Sequence, residues 1–181
     1  TGITLMQMDV GMDTGAMLEQ AEIPIGDDET AGELSERLSM VGASLVKSGL
    51  PKYVAGDYLP IEQDHAAHTL APMLTKEDGR VSWTQSARTV HDHVRGMSPW
   101  PGAYTTLGGK TIKLHRTRIA EVSRVGEAPG TVLIADKSRV LVACKEGALD
   151  LVVVQLEGKK PVSGTEWQGG RGVKEGDRLG T

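Results

Sequence analysis

The sequence predicts an α/β unit followed by a small β-barrel unit with a short helix, and three observations lead to this fold class. The first part combines two short strand-like runs with a strongly capped helix, whereas the later part holds five strand-like runs separated by tight turns. The charge also changes: residues 1–79 hold 4 Lys/Arg and 14 Asp/Glu, and residues 80–181 hold 16 and 10. This asymmetry indicates two units with different partners, and a basic unit suits a polyanion.

The first unit is predicted to span residues 1–56. Residues 3–8 form a mostly apolar run that indicates a strand buried on both faces, and residues 17–25 are typical of a second strand. Between them, residues 9–15 (DVGMDTG) form a turn-rich stretch. These elements are typical of the trailing part of an α/β domain, and an unpaired strand edge there leaves association with a second copy open.

A helix follows the second strand. Thr30 and Glu33 form a capping box at its start, in which each side chain bonds the backbone of the other residue. Apolar residues then recur at intervals of four, three and four from Leu34 to Leu45, which gives one apolar stripe. Gly49 and Pro51 predict the end of this helix.

Residues 57–79 are predicted to be a linker, because they hold no long periodic segment and several polar and proline positions. They include His65 and His68, three residues apart, with Asp64 beside them. No other residues in this part have the spacing of metal ligands, so we predict a solvated segment and no metal site.

The second unit is predicted to span residues 80–181. Ser86 is placed to cap a short helix with a valine-rich side. His91 and His93 lie two residues apart on that helix, where such residues do not share a face. Both are therefore predicted to be surface histidines.

The remaining part of this unit has the pattern of β-structure. The pair Gly108-Gly109 is a two-residue hairpin signal between two of the strand-like runs. The runs are residues 103–107, 110–120, 131–135, 140–144 and 149–156. Five strands in a small unit predict an OB-like barrel, an architecture that often binds nucleic acid, with a fragment of a sandwich as the alternative.

Three features bear on the surroundings of the chain. Cys144 is the single cysteine, which fits a reducing cytosol, and no apolar run approaches the length of a membrane span. We therefore predict a cytoplasmic protein without membrane contact. Because the chain begins with Thr1 and is strand-like from its first residues, we expect a fragment of a longer protein. Trp83 and Trp100 are predicted to pack in the core and not to stack on bases.

Three segments resemble the methionyl-tRNA formyltransferase family in sequence, order and spacing. They are residues 1–18 (TGITLMQMDVGMDTGAML), residues 74–103 with LTKED and PWPGA, and residues 129–161 with PGTV and QLEGKKP. The resemblance covers essentially the whole chain. The first two segments also resemble relatives that formylate amino-sugar nucleotides, whereas Gly-Lys-Lys-Pro is more particular to the tRNA enzyme.

The resemblance implies a Rossmann-like formyltransferase domain, a linker and an OB-like C-terminal domain that holds tRNA. The implied activity is transfer of a formyl group from 10-formyltetrahydrofolate to the amino group of methionyl-initiator-tRNA, by a full-length enzyme that is monomeric and needs no metal. The catalytic Asn and His of the family lie upstream of the segment that matches residues 1–4. We therefore expect this chain alone to be inactive.

The resemblance also implies site residues in the first unit. Asp13 matches the catalytic aspartate of the family, and Gly11, Met12 and Thr14 match the loop that borders the folate. A carboxylate in this role stabilises a protonated His or orders a proton-relaying water. Without the resemblance, Asp-Thr-Gly is typical of a plain turn.

For tRNA, the matched motifs point to Lys76 in the linker and to Lys159 and Lys160 near the end of the last strand. Many family members have a lysine at the position of Met73, so the linker is expected to contribute less to tRNA contact here. Two other functions stay open at this point. One is formylation of a sugar nucleotide, and the other is a nucleic-acid-binding module without catalysis.

Overall fold

A computed structural model describes residues 1–121 and 126–180, and the chain divides into two compact units, Thr1–Met73 and Leu74–Thr181. The division falls within the segment that the sequence predicts as a linker. The first unit holds two strands and a long helix, and the second holds a six-stranded sheet with short helices. Among the described residues, no helix combines the length and the apolar character needed to cross a membrane.

The first unit packs a β-hairpin against one helix. Strands β1 (Gly2–Met6) and β2 (Met17–Glu22) are antiparallel, and α1 (Ala31–Ala55) follows them. The predicted capping box is confirmed: the Glu33 N–H donates to Thr30 Oγ1 at 3.3 Å, and the Thr30 N–H donates to the Glu33 carboxylate at 2.9 Å. Because this cap satisfies backbone N–H groups that have no partner within the helix, it fixes where α1 begins.

The helix end predicted at Gly49 and Pro51 is wrong. α1 continues past both residues, and Gly56 caps it in the left-handed conformation with φ 76°. Although an interior proline disfavours a helix, α1 continues through Pro51, and the glycine at positive φ is what ends it. Gly49 serves close packing instead, since a Cβ there would lie 2.7 Å from both the Leu5 side chain and the Tyr58 hydroxyl.

The second unit is built on one antiparallel sheet. Its strands are β3 (Ala103–Leu107), β4 (Lys110–Ala120), β5 (Val132–Ala135), β6 (Val140–Ala143), β7 (Ala148–Leu156) and β8 (Val162–Ser163). Its helical segments are a 3-10 helix (Glu77–Gly79), α2 (Ala87–Gly96) and α3 (Gly164–Gly169). The strand order is β3-β4-β7-β6-β5, and β8 also pairs with β7.

Local signals explain most of these elements. Gly108 and Gly109 have φ angles of 56° and 77°, as the predicted two-residue hairpin requires. Ser86 caps α2 as predicted, by accepting a hydrogen bond from a backbone N–H in the first turn. The prediction missed β8 and α3, although Ser163 and Glu166 form a second capping box that the sequence contains.

The strands predicted to form an OB-like barrel do not close into one. Within the described residues the sheet is open, with β3 at one edge and β5 at the other. The segment 176–180 reaches both edges: the Gly180 N–H donates to the Thr106 carbonyl, and the Val132 N–H donates to the Asp177 carbonyl, each at 2.8 Å. Since this coil segment satisfies edge groups that a β3–β5 ladder would otherwise use, closure by strand pairing does not occur.

The core of the second unit lies between the sheet and α2. Its most deeply buried side chains include Val94, Leu114, Val132, Val140, Val142, Leu149, Leu151 and Val154. His91 belongs to this buried set, and its Nδ1 lies 3.0 Å from Thr117 Oγ1. The prediction of a surface position for His91 is therefore wrong, because its face of α2 packs against β4 and a strand hydroxyl satisfies the ring nitrogen.

The two tryptophans differ in burial. Trp83 is buried as predicted, and its indole N–H donates to Thr105 Oγ1 at 3.0 Å. Trp100 is 58% exposed, so the prediction that it packs in the core is wrong. It lies in the turn between α2 and β3, where the chain crosses the surface.

Cys144 provides a test of the core. Burial raises the pKa of its thiol to about 12, and the thiolate is the reactive form. We expect an aromatic disulfide reagent at mildly alkaline pH to modify Cys144 slowly in the folded chain and at least about 100-fold faster in denaturant. Stoichiometric labelling of the folded chain within the mixing time would contradict the buried position.

Candidate functional site

Residues 9–15 form the turn that joins β1 to β2, and Asp13 lies in it with an exposed side chain. Its φ of 54° is in the left-handed region, which Asp tolerates better than most residues. Gly15 is buried, and a Cβ there would lie 1.6 Å from the carbonyl oxygen of Gln7. Any other residue at position 15 would therefore displace the backbone that carries Asp13.

Gln63 holds this turn from a distant part of the chain. Its side-chain amide donates to the carbonyls of Asp13 at 2.8 Å and Gly15 at 2.7 Å. The neighbouring Ile61 pairs with Met17 through two backbone hydrogen bonds of 2.8 Å. Part of the segment predicted as linker therefore packs on the first unit. The sequence analysis missed Gln63, because a single glutamine in an aperiodic segment forms no pattern.

The residues beside Asp13 differ in exposure. Gly11 is exposed and Met12 is 91% exposed, whereas Thr14 is half-buried. A Cβ at Gly11 would lie 2.4 Å from Thr14 Oγ1, so the threonine side chain packs on the glycine backbone. The buried Thr14 hydroxyl oxygen has no hydrogen-bond partner among the described residues. Most buried polar atoms in folded proteins have a hydrogen-bond partner, so this oxygen is an exception among the described residues.

The Asp13 carboxylate has no hydrogen bond or ion pair within residues 1–121 and 126–180. Its backbone is fixed by Gln63, so the carboxylate projects from a defined position and is open to a partner. An exposed carboxylate can accept a hydrogen bond from an imidazolium or order a water for proton transfer. The structure brings Asp13 together with Gln63 and the adjacent loop residues, and within the described residues no imidazole is hydrogen-bonded to its carboxylate.

A charged cluster connects Glu19 on β2 to Lys52 in the last turn of α1 and to Tyr58 just after the helix. The Tyr58 hydroxyl donates to the Glu19 carboxylate, and Lys52 Nζ lies 3.0 Å from the same carboxylate. The lysine ammonium also lies 5.8 Å from the centre of the Tyr58 ring. The hydrogen bond from Tyr58, assisted by Lys52, lowers the pKa of Glu19, and the bonded Glu19 raises the pKa of Tyr58 to about 12.

Lys76 is exposed at the start of the 3-10 helix Glu77–Gly79. The Asp78 carboxylate accepts hydrogen bonds from the Thr75 N–H at 2.6 Å and the Thr75 hydroxyl at 2.8 Å, which closes the turn around Lys76. The bond from the Thr75 backbone, with that from its hydroxyl, lowers the pKa of Asp78. Lys76, which the sequence places in the linker, therefore lies in a solvent-exposed turn with a hydrogen-bonded backbone.

Lys159 and Lys160 are exposed in the turn that follows β7. The Lys159 N–H donates to the Leu156 carbonyl at 3.0 Å, and Gly158 within this turn has φ 70°. A glycine at positive φ in the third position is the requirement of a type II turn. The Lys159 carbonyl also accepts a hydrogen bond of 2.8 Å from the Gln155 side-chain amide. The backbone N–H and the carbonyl of Lys159 are therefore both hydrogen-bonded.

The histidines of the predicted linker form a local contact. His65 and His68 are exposed, and His68 Nδ1 lies 2.7 Å from the His65 carbonyl oxygen. In the part of the chain that the structure describes, no group of three His, Cys, Asp or Glu residues is arranged to hold a metal ion. The contact joins a histidine ring to a backbone carbonyl three residues earlier, as happens within a short turn.

Both units match known families. Residues 1–49 match the family described as formyl transferase, and residues 73–172 match the one described as formyl transferase, C-terminal domain. Asp13 and its loop lie in the first match, and Lys76, Lys159 and Lys160 lie in the second. Together the two matches cover most of the chain.

Individual proteins resemble the chain over almost its full length. The methionyl-tRNA formyltransferases of Sorangium cellulosum and Geobacter sulfurreducens are 46% and 45% identical over 99% of the chain. The chain spans 58% and 56% of their lengths. In structure, it resembles HypX from Aquifex aeolicus in complex with tetrahydrofolic acid, with a TM-score of 0.69 and 23% identity over 96% of this chain and 31% of that one. This last similarity concerns the fold.

The Tyr58–Glu19 pair gives a testable pH dependence. Glu19→Gln is expected to lower the pKa of Tyr58 from about 12 toward the usual value near 10, because the charged acceptor is lost. Between these values the folded chain keeps a proton that the unfolded chain loses, so the free energy of unfolding falls as pH rises through this window. Tyrosinate absorbance measures the shift, with Tyr58→Phe identifying the signal.

Glu22→Gln is the matched control, since Glu22 is exposed on the same strand. It is expected to leave the titration of Tyr58 unchanged. An equal shift in both glutamine variants would mean that overall charge, and not the hydrogen bond, sets the pKa.

Proposed function

We propose, because the chain belongs to the formyl transferase family, that the natural protein carrying it transfers a formyl group from 10-formyltetrahydrofolate to the amino group of methionyl-initiator-tRNA in the cytoplasm. The observation that supports this most is its similarity, at 41–46% identity over 99% of the chain, to enzymes named methionyl-tRNA formyltransferase. This similarity extends over both units, including the segments that carry Asp13 and the three lysines, so it supports a shared reaction as well as a shared fold.

The reaction places definite demands on the protein. The methionyl amine attacks the formyl carbon as a free base, a tetrahedral oxyanion forms, and a proton passes from the attacking nitrogen to the leaving folate nitrogen. Asp13 suits the proton-handling part, because its carboxylate is exposed while its backbone is fixed by Gln63. In this role it holds a protonated imidazole or orders the water that carries the proton.

The turn around Asp13 is proposed to border the folate. Gly11 and Met12 are exposed next to the carboxylate, and the Thr14 hydroxyl is a buried polar group with no partner among the described residues. An apolar side chain such as Met12 covers ring systems well, and a free hydroxyl supplies a directional contact. This combination supports a bound organic donor beside Asp13.

The second unit is proposed to hold the tRNA. Residues 80–181 carry 16 Lys/Arg against 10 Asp/Glu, and cations that neutralise phosphates supply most sequence-independent affinity for nucleic acids. Lys76, Lys159 and Lys160 are all exposed, and the backbones of Lys76 and Lys159 are hydrogen-bonded within turns. A lysine on a fixed turn loses less conformational freedom on contact than one on a mobile loop.

Asp13→Asn in the natural protein tests the catalytic assignment. We expect the rate of formyl transfer to methionyl-tRNA to fall about 100-fold or more, because an amide cannot hold a proton or balance an imidazolium. Asp9→Asn, in the same turn, is the matched control and is expected to keep most of the rate. Formyl transfer is measured with labelled 10-formyltetrahydrofolate, and thermal unfolding checks that both variants fold.

Near-normal turnover by Asp13→Asn would remove Asp13 from the mechanism. Formylation of an amino-sugar nucleotide in place of methionyl-tRNA by the unchanged protein would replace the proposed substrate.

The 181-residue chain by itself is expected to show no formyl transfer above the uncatalysed rate. The reason is that the described structure presents the Asp13 carboxylate without an imidazole bonded to it. The same assay measures this, with the natural protein as positive control. Turnover by the isolated chain would mean that its own residues suffice for proton transfer.

A further inference from the structure

Three neighbouring strands of the second unit align Tyr104, Lys113 and Gln155 in one cross-strand row. Tyr104 on β3 lies opposite Lys113 on β4, and Lys113 lies opposite Gln155 on β7. Their strand neighbours are buried on the other side of the sheet, as Thr105 and Leu114 illustrate. Since side chains alternate between the faces of a strand, the row lies on the outer face. Lys113 is its exposed cation.

A bulge in β4 brings His115 beside this row. The register passes from Leu114 opposite Val154 to Arg116 opposite Val153, so His115 is the additional residue. Its Nε2 lies 2.9 Å from the Gln155 side-chain oxygen. Because that oxygen can only accept, the histidine donates from Nε2.

Gln155 also bonds the turn that carries Lys159. Its side-chain N–H donates to the Lys159 carbonyl at 2.8 Å, and the Lys159 N–H donates to the Leu156 carbonyl at 3.0 Å. The amide of Gln155 thus uses its oxygen on His115 and its nitrogen on Lys159. This chain of bonds holds the turn that carries the exposed lysine against the end of the row.

The opposite end of the row meets the turn that carries Lys76. The Val81 N–H donates to the Tyr104 carbonyl at 2.8 Å, so this segment runs along the free edge of β3. A Cβ at Gly79 would lie 3.4 Å from the Tyr104 ring, and the Gly79 N–H donates to the Lys76 carbonyl at 3.1 Å. The row therefore connects two lysine-bearing turns that lie far apart in sequence.

Lys76, Tyr104, Lys113, His115 and Lys159 together define what we call the sheet-face strip. Adjacent strands lie about 4.8 Å apart, so the part from β3 to β7 spans roughly 10 Å, the rise of about three nucleotides of one nucleic-acid strand.

Acidic side chains also border the strip. The Asp78 carboxylate is turned back onto Thr75, while Glu77 and Glu157 are exposed near its two ends. The centre of the strip, around Lys113, is thus its most cationic part.

We propose that the sheet-face strip binds the phosphate backbone of RNA, with Lys113 as its central contact, and that His115 and Gln155 are positioning residues that hold Lys159 for the same contact. This inference rests on the proposed function, since it names the surface that meets the tRNA. A row of cations and hydrogen-bond donors on a rigid sheet suits phosphates, whose spacing does not depend on base sequence.

Binding of the 181-residue chain to a fluorescent, unacylated tRNA transcript tests the strip, by anisotropy over a series of salt concentrations. Lys113→Ala is expected to weaken binding several-fold and to reduce the salt slope by about 0.7–0.9, the loss of one phosphate contact. Lys137→Ala is the matched control, because Lys137 is exposed in the turn between β5 and β6. It is expected to leave both quantities unchanged.

A double-mutant cycle tests the positioning role. Gln155→Met keeps size and charge but removes both hydrogen bonds, so it is expected to weaken binding and to reduce the further effect of Lys159→Ala. His115→Ala is expected to act in the same direction, whereas His115→Gln keeps a donor and restores binding. Thermal unfolding accompanies each variant, and if Gln155→Met does not fold, the His115 pair decides.

Equal behaviour of Lys113→Ala and Lys137→Ala would overturn the strip while leaving tRNA binding by the second unit in place. Full additivity of Gln155→Met with Lys159→Ala would overturn the positioning role. If the unchanged chain binds tRNA without salt dependence, both the strip and the proposed phosphate contacts fail. Formyl transfer by the natural protein is measured separately. If it persists, the proposed reaction stands even though the proposed phosphate contacts are wrong.

Discussion

The antiparallel ladder between β4 and β7 is the interaction on which the second unit depends. β3 pairs with β4, and β6 and β8 pair with β7. β5 pairs only with β6, so each of the other described strands is joined to the β4–β7 pair directly or through β6. Backbone groups in a buried sheet must be paired, and a continuous ladder satisfies them at both strands. The bulge at His115 interrupts the register without ending the ladder, and the interruption sets this side chain beside Gln155.

Two glycines of the first unit make close approaches, one to backbone and one to side chains. Gly15 lets the turn pass against the Gln7 carbonyl, and Gly49 lets the Tyr58 hydroxyl and the Leu5 side chain reach the helix. Gln63 then fixes the turn from outside through two carbonyls. Asp13 is consequently an exposed carboxylate on a constrained backbone, which is the combination that a positioned proton-transfer group needs.

The residues proposed for function are divided between an acidic and a basic part of the chain. The acidic part carries Asp13, proposed on the donor side, and the basic part carries Lys159 and Lys160, proposed for tRNA. Lys76, the third lysine proposed for tRNA, lies at the end of the acidic part. The alternation of Lys113 with buried Ile112 and Leu114 was visible in the sequence, but its cross-strand pairing with Tyr104 and Gln155 was not.

By itself, the sequence determined the elements whose signals are local. The capping boxes, the Gly108-Gly109 hairpin and the alternation within the strands depend on neighbouring residues only. The tertiary structure alone decided that His91 is buried and Trp100 exposed. It also decided that a coil segment, and not a strand pair, lies between the sheet edges. These outcomes depend on contacts with residues distant in the chain, and no local pattern specifies which distant backbone group or side chain will satisfy a given donor.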